Sequence, residues 1–164
     1  MRWSSDLAQH TVSLQLAYRS DAHAIAKMSA ALIESGLPPT WTQTRVLWHI
    51  KSKESIVLVA RDARQLNGFA IMQFGDDTAH LNLLAVTSYA RRHGIATQLL
   101  SWLHETAIVA GTFVINLEMR ATNIEAQGFY RSMGYRELGV IRRYYSGVED
   151  ALRMSRDLTV KTCV

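Results

Sequence analysis

Cysteine is almost missing from this chain: of 164 residues only Cys163 carries a thiol, and it stands at the very carboxyl end. An intrachain disulfide and a cysteine-built metal site are therefore excluded, and a reducing cytoplasm is the expected compartment. Proline is nearly as scarce, with two residues against nine glycines, which excludes collagenous and low-complexity chains. No stretch approaches the roughly 20 apolar residues of a membrane span, and the opening MRWSSDLAQH has no apolar core of signal-peptide length, so neither export nor membrane insertion is expected. Charge of one sign is also limited. The net charge is +4 and the tight basic doublets are Arg91-Arg92 and Arg142-Arg143, too scattered for a nucleic-acid-binding face. None of the six histidines has the paired spacing of a zinc motif, so no metal is expected. What is present, 48% hydrophobic and 20% charged residues, is the composition of one globular domain over 1–164 with a sizeable core.

The order of elements reads off the apolar spacing. Val12, Leu14 and Leu16 alternate as in a half-buried strand, and Ser20-Asp21 can cap a helix carrying Ile25, Met28 and Leu32. Gly36-Leu37-Pro38-Pro39 ends that helix in a stiff apolar loop, after which Thr40 or Thr42 can cap a second helix with Val46, Leu47 and Ile50. SIVLVAR (55–61), GFAIMQF (68–74) and AHLNLLAV (79–86) form an antiparallel meander, with Asn67-Gly68 and Gly75-Asp76-Asp77 as its turns. A helix over 95–109, a Gly111 stop and the strand TFVINLEM (112–119) make a crossover unit with locally parallel pairing. A short helix over 123–133 stops at Gly134, and strands near 135–144 and 151–158 complete a mixed α+β sheet with helices packed over it.

The stretch RRHGIATQLL (91–100) places a cationic, glycine-containing turn at the start of the long helix. A helix start exposes unpaired N–H groups and a partial positive charge, which suits phosphate oxygens. Gly94 and Ala96 let the backbone approach closely, and Arg91 and Arg92 can add charge-assisted hydrogen bonds, so the turn reads as a pyrophosphate cradle. No Gly-Lys-Ser/Thr follows and the three-glycine dinucleotide pattern is absent. The competing reading makes both arginines solvated loop residues and Gly94 a simple turn residue.

That turn, Arg-x-x-Gly-x-Ala between strand and helix, is followed by LEMRATNIEAQGFYRSMGY, Tyr144-Tyr145 and Glu149-Asp150-Ala151. Taken together these resemble the Gcn5-related N-acetyltransferase (GNAT) family over about residues 79–157, most closely its bacterial members that acetylate the N-terminal amine of a ribosomal protein. The resemblance implies the GNAT fold, a mixed central sheet flanked by helices with two splayed strands, and acetyl-coenzyme A (acetyl-CoA) as acetyl donor. It implies that Leu84, Ala85 and Val86 offer backbone groups to the pantetheine arm. The pyrophosphate is then expected on the turn at Arg92, His93, Gly94, Ile95, Ala96 and Thr97, with Arg91 beside it. Asn123 and Tyr130, two helical turns apart, are expected to face the cofactor from one side of the short helix.

The same resemblance assigns Tyr130 as the acid that protonates the leaving thiolate and Glu118 as the base that deprotonates the amine. Tyr130 has an alternative as a core tyrosine beside Phe129 and Met133, and Glu118 as the ion-pair partner of Arg120 on the same strand face. Trp41, Tyr144 and Tyr145 are the expected acceptor-binding residues, while Trp48 and Trp102 read as packing residues and His49 and His104 as helix-surface residues. His93 assists phosphate binding or is exposed. The expected acceptor is the α-amine of a protein or peptide. A small-molecule amine acetyltransferase, or an acetyl-CoA-binding module without catalysis, are the alternatives. The sequence leaves oligomeric state open.

Overall fold

The computed structural model describes residues 12–63 and 65–159. The stretch MRWSSDLAQH and Cys163 lie outside the described residues. Seven strands and four α-helices follow one another as β1 (Ser13–Leu16), α1 (Ala22–Leu32), α2 (Gln43–Lys51), β2 (Ser55–Arg61), β3 (Leu66–Phe74), β4 (Thr78–Val86), α3 (Ile95–Val109), β5 (Val114–Arg120), α4 (Ile124–Ser132), β6 (Arg136–Tyr145) and β7 (Glu149–Asp157). They form one sheet in the order β1-β2-β3-β4-β5-β7-β6. All pairings are antiparallel except β4 with β5, which a crossover through α3 makes parallel. This is the mixed sheet flanked by helices that the sequence leads one to expect.

Alternation along the strands builds a core on each face. In β2, Val57 and Val59 turn toward α1 and α2, where they meet Ile25, Val46, Phe69 and Ile71. Leu58 and Ala60 turn the other way toward Leu99, Leu100 and Leu103 of α3. Phe69, Leu58, Ile71 and Leu99 are fully buried, each contributing about 1.5–3 kcal/mol of hydrophobic stabilisation.

Local chemistry moved several boundaries. Asn67-Gly68 is not the turn between β2 and β3 but lies inside β3. The turn is made one step earlier by Asp62, whose side chain accepts from the Gln65 amide at 2.9 Å and the Asn67 side-chain amide at 2.9 Å. Gly68 has a packing reason instead: a Cβ there would come within 3.0 Å of the Ala85 carbonyl oxygen and 3.3 Å of Ile95. Helix α1 ends at Leu32, before Gly36-Leu37-Pro38-Pro39 is reached. Asp21 stands at its N-cap position without capping it, because its carboxylate is engaged by the Tyr18 amide and the Arg61 guanidinium, each at 2.7 Å. Thr42 does cap α2, accepting from the Arg45 amide at 3.2 Å.

The expected surface histidines are buried. His49 is 4% exposed and hydrogen-bonds Ser55, and its pKa is lowered by burial and then by Arg45. His104 is 6% exposed; Arg156 Nη1 donates to its Nδ1 at 2.8 Å, and its Nε2 lies 2.9 Å from the Tyr135 hydroxyl. A guanidinium only donates, so Nδ1 is an acceptor and the ring is neutral, with its proton on Nε2. Trp48, expected to pack, is 54% exposed, whereas Trp102 packs against the core.

Burial, and secondarily Arg156, hold the His104 pKa down to about 4. Because the folded value lies below the ordinary value of about 6.5, the stability present above pH 6.5 is lost as pH falls toward 4, by at most roughly 3 kcal/mol. Urea unfolding measured at intervals from pH 7 to pH 4 is expected to lose stability over that window. His104→Gln should flatten the loss; an unchanged slope in the variant would show that the ring titrates normally.

Candidate active site

Strands β4 and β5 pair from Thr78–Val114 to Leu81–Leu117 and no further. Opposite β3, Leu81 faces Met72 and Leu83 faces Ile71, so Asn82 is an extra residue and β4 bulges there. Beyond the bulge β4 follows β3, while β5 stays with β7 as far as Arg120. Between the parting strands opens a cleft of about 860 Å³, lined by Leu84, Ala85 and Val86 on the β4 side and by Glu118, Met119 and Arg120 on the β5 side. The strand splay expected from the resemblance is thus present, with a bulge as its local cause. Leu84 and Val86 also pack on the α3 side of the sheet, and Ala85 on the α1 side.

One end of the cleft is the basic turn. Arg92 and Gly94 both have left-handed backbones, with φ of 66° and 75°. The first hydrogen bond of α3 runs from the Gln98 amide to the Gly94 carbonyl at 3.0 Å, so the amides of Ile95, Ala96 and Thr97 have no helical acceptor. A Cβ at Gly94 would meet nothing within 4 Å, and Gly94, Ile95, Ala96 and Thr97 all line the open cleft. Free amides at a helix start lining that cleft, with two guanidiniums beside them, fit a diphosphate. Arg91, Arg92, Gly94, Ile95, Ala96 and Thr97 line the cleft. His93 is exposed and is not brought to it.

Helix α4 forms the facing wall. Asn123 is its N-cap, accepting from the Ala126 amide at 3.1 Å and leaving its own side-chain N–H groups available to the cleft. Tyr130, two turns on, also reaches the cleft and is 8% exposed, in edge contact with Phe129 and Tyr135 at ring separations of 5.1 and 5.4 Å. Burial, and then Tyr145, push its pKa up, so the phenol stays protonated at neutral pH. Arg156, by donating to the Met133 carbonyl at 2.8 Å, ties the end of this helix to β7.

At the other end Glu118 rises from β5 with its side chain 9% exposed. Its partner is not Arg120. One carboxylate oxygen is hydrogen-bonded to Nε2 of His80, and the other accepts from Arg153 at 3.1 and 3.2 Å. The bond to His80 is the main reason its pKa lies below the ordinary range, and Glu118 is ionised at neutral pH. Arg120 instead donates to the Ser35 carbonyl at 2.6 Å and faces Glu149 at 3.5 Å, holding the α1–α2 loop against β5.

Trp41, Tyr144 and Tyr145 all border this end. The loop that carries Trp41 is shaped by the buried Glu34, which accepts from the backbone amides of Thr40 and Trp41, the latter at 2.9 Å. Arg45 lies over the Trp41 ring, 3.8 Å from its centroid. Tyr144 and Tyr145 meet edge to face at 4.9 Å; burial raises the pKa of both. Sequence reasoning missed Glu34, Arg45, His80 and Arg153. The period-2 pattern placed His80 on a strand, but only the register of β4, β5 and β7 brings it to Glu118.

Residues 53–137 match the family described as Acetyltransferase (GNAT) domain. The [ribosomal protein bS18]-alanine N-acetyltransferase of Salmonella typhimurium is 33% identical over 99 residues, 58% of this chain and 67% of that one. The N-alpha-acetyltransferase of Sulfurisphaera tokodaii is 27% identical over 135 residues, 74% of this chain and 81% of that one. In fold, the ribosomal-protein-S18-alanine N-acetyltransferase of Escherichia coli superposes with a TM-score of 0.79 at 24% identity, covering 92% of this chain and 96% of that one. The chain belongs to the GNAT family of N-acetyltransferases. The acetyltransferases of this family use acetyl-CoA as acetyl donor.

A test of the cradle follows from Gly94. A β-branched residue is strained at φ 75° and would add bulk where this turn lines the cleft. Gly94→Val should weaken acetyl-CoA binding more than tenfold by calorimetry. Arg92→Gln should weaken it less and reduce its salt dependence. Unchanged binding by the Gly94 variant would remove the donor from this turn.

Proposed function

We propose that this N-acetyltransferase acts on the α-amine of a protein or peptide N-terminus, by direct attack with Glu118 as base and Tyr130 as acid. The observation that carries the reading is the wall of the acceptor end. Trp41, Tyr144 and Glu118 line one cleft, with ring faces and a hydroxyl suited to an extended peptide, and of the three carboxylates that line it, Glu34, Glu118 and Glu125, the first two are engaged by donors. A polyamine or aminoglycoside would need acids free to pair with several cations. The names of the Salmonella and Sulfurisphaera relatives point the same way.

The amine suits this chemistry. An α-ammonium with a pKa of about 7.7–8.0 is partly neutral near pH 7, whereas a lysine ammonium at about 10.4 is not. Acetyl-CoA supplies a thioester, at which the neutral amine forms the new C–N bond as the C–S bond breaks. Arg91, Arg92 and the amides of Ile95, Ala96 and Thr97 hold the pyrophosphate, and the backbone of Leu84, Ala85 and Val86 orients the pantetheine arm. The side-chain amide of Asn123 adds a donor from the facing helix. Tyr130 Oη gives its proton to the departing sulfur and regains one from the amide nitrogen as that nitrogen sheds its surplus proton. The net yield is one proton released to solvent per acetyl group transferred from thioester to ammonium.

Two measurements test this. Tyr130→Phe preserves the ring and removes only the donor, so kcat should fall about 10–100-fold while acetyl-CoA affinity stays within about twofold; an unchanged kcat would return Tyr130 to a packing role. On a panel of free-amine peptides with varied first residues, N-blocked lysine peptides, polyamines and aminoglycosides, free N-termini should be preferred. Efficient acetylation of blocked lysine peptides or small amines, with free N-termini ignored, would overturn the acceptor reading.

A further inference from the structure

Arg45 is the charge at the acceptor end that the internal pairings leave over. It is exposed and lines the cleft, with its guanidinium over the Trp41 ring. Its side chain has one hydrogen-bond acceptor among the described residues, the Thr40 carbonyl at 3.5 Å, which is the long limit for such a bond. No carboxylate of the described residues forms an ion pair with it. The other charges of this end are already matched. Glu34 accepts from the amides of Thr40 and Trp41, Glu118 is held by His80 and Arg153, and Arg120 faces Glu149.

Local structure gives no reason for an arginine at this position. Thr42 is the N-cap of α2, so Arg45 is the third residue of that helix, where a capping box carries Glu or Gln and where the positive helix end disfavours a cation. The first turn of α2 holds no acid to offset it. The attraction of the guanidinium to the Trp41 ring holds it at the cleft wall while most of its five N–H donors keep no protein acceptor. We propose that Arg45 determines acceptor specificity by pairing with an acidic side chain close behind the amine, so that preferred peptides carry Asp or Glu at their second or third position. This deepens the acceptor reading above and rests on it.

Tyr144 links the two ends of that contact. Burial raises its pKa and Glu118 raises it further, while Arg153 and then Arg45 lower it, so this one phenol lies within electrostatic reach of both Glu118 and Arg45. An extended peptide advances only about 3.3 Å per residue, and a peptide whose amine stands at Glu118 therefore brings its next residues past Tyr144 toward Arg45. Arg142 and Arg143, which precede Tyr144 on β6, form no ion pair among the described residues and add to the positive field there. A guanidinium can take a carboxylate through two parallel hydrogen bonds, whereas a lysine at the same peptide position meets like charge.

The experiment is kcat/KM with acetyl-CoA for free-amine peptides that differ only in carrying Glu, Gln or Lys at the second or third position. The wild type should favour Glu over Lys by about tenfold or more, mainly through KM, and the preference should shrink as salt rises. Arg45→Lys should keep part of it, Arg45→Gln should bring it within about twofold, and Arg45→Glu should reverse it. The last variant places an acid where a capping box has one, so its Tm should be equal or higher, and acetyl-CoA affinity by calorimetry should hold; a reversal then reports charge and not misfolding. Equal use of the Glu and Lys peptides by the wild type, or a wild-type preference surviving in Arg45→Glu, would refute the role of Arg45. If no free-amine peptide is acetylated, it is the acceptor reading that fails, and the same variants assayed on small amines with and without a carboxylate show whether Arg45 selects for negative charge.

Discussion

The site depends on one local irregularity, the extra residue at Asn82. Up to Leu81 the fourth strand is shared between its antiparallel partner β3 and its parallel partner β5. After the bulge it can satisfy only β3, and the sheet separates because β5 is already committed to β7 along its whole length. A parallel pair, with its slanted hydrogen bonds, is the weaker contact to give up. The cleft, the backbone edge of Leu84–Val86 and the reach of α4 across the gap all follow from that separation.

The two ends of the cleft are built on different physics. At the helix start, the donors are backbone amides whose direction is set by Gly94 and Arg92 in left-handed conformations, and the arginines add charge. This end is insensitive to which amine is acetylated. At the acceptor end, function depends on side chains meeting from β4, β5 and β7, with the α1–α2 loop braced by Glu34 and Arg120. The covered state of Glu118 there is informative. A carboxylate paired with a histidine and an arginine is held ionised at neutral pH. Tyr130 stands in the opposite regime, where burial without a charged partner keeps the phenol protonated and able to donate.

The same logic separates the two buried histidines from His80. His104 accepts from Arg156, which favours the neutral ring, and His49 is likewise held neutral by burial and Arg45. His80 faces a carboxylate, which favours the charged ring. Three rings of one chemistry thus differ in proton affinity: burial and then an arginine lower it for His49 and His104, and the hydrogen bond to Glu118 raises it for His80.

The sequence by itself determined the order of elements, the helix start at Ile95 and the GNAT membership, because these rest on contiguous signals: apolar period, glycine placement and a chain of short motifs between 79 and 157. It also determined that Asn123 and Tyr130 share a helix face, since seven residues make two turns. Only the tertiary structure decided that Gly68 serves a close approach to Ala85 rather than a turn, because the Asx turn of Asp62 closes the hairpin earlier. It decided that His49 and His104 are buried, since a helix pattern does not say how far a sheet and its loops cover each face. Above all it decided the partner of Glu118. His80 and Arg153 lie 38 and 35 residues away in the chain, and the strand register with its bulge alone sets them against one carboxylate.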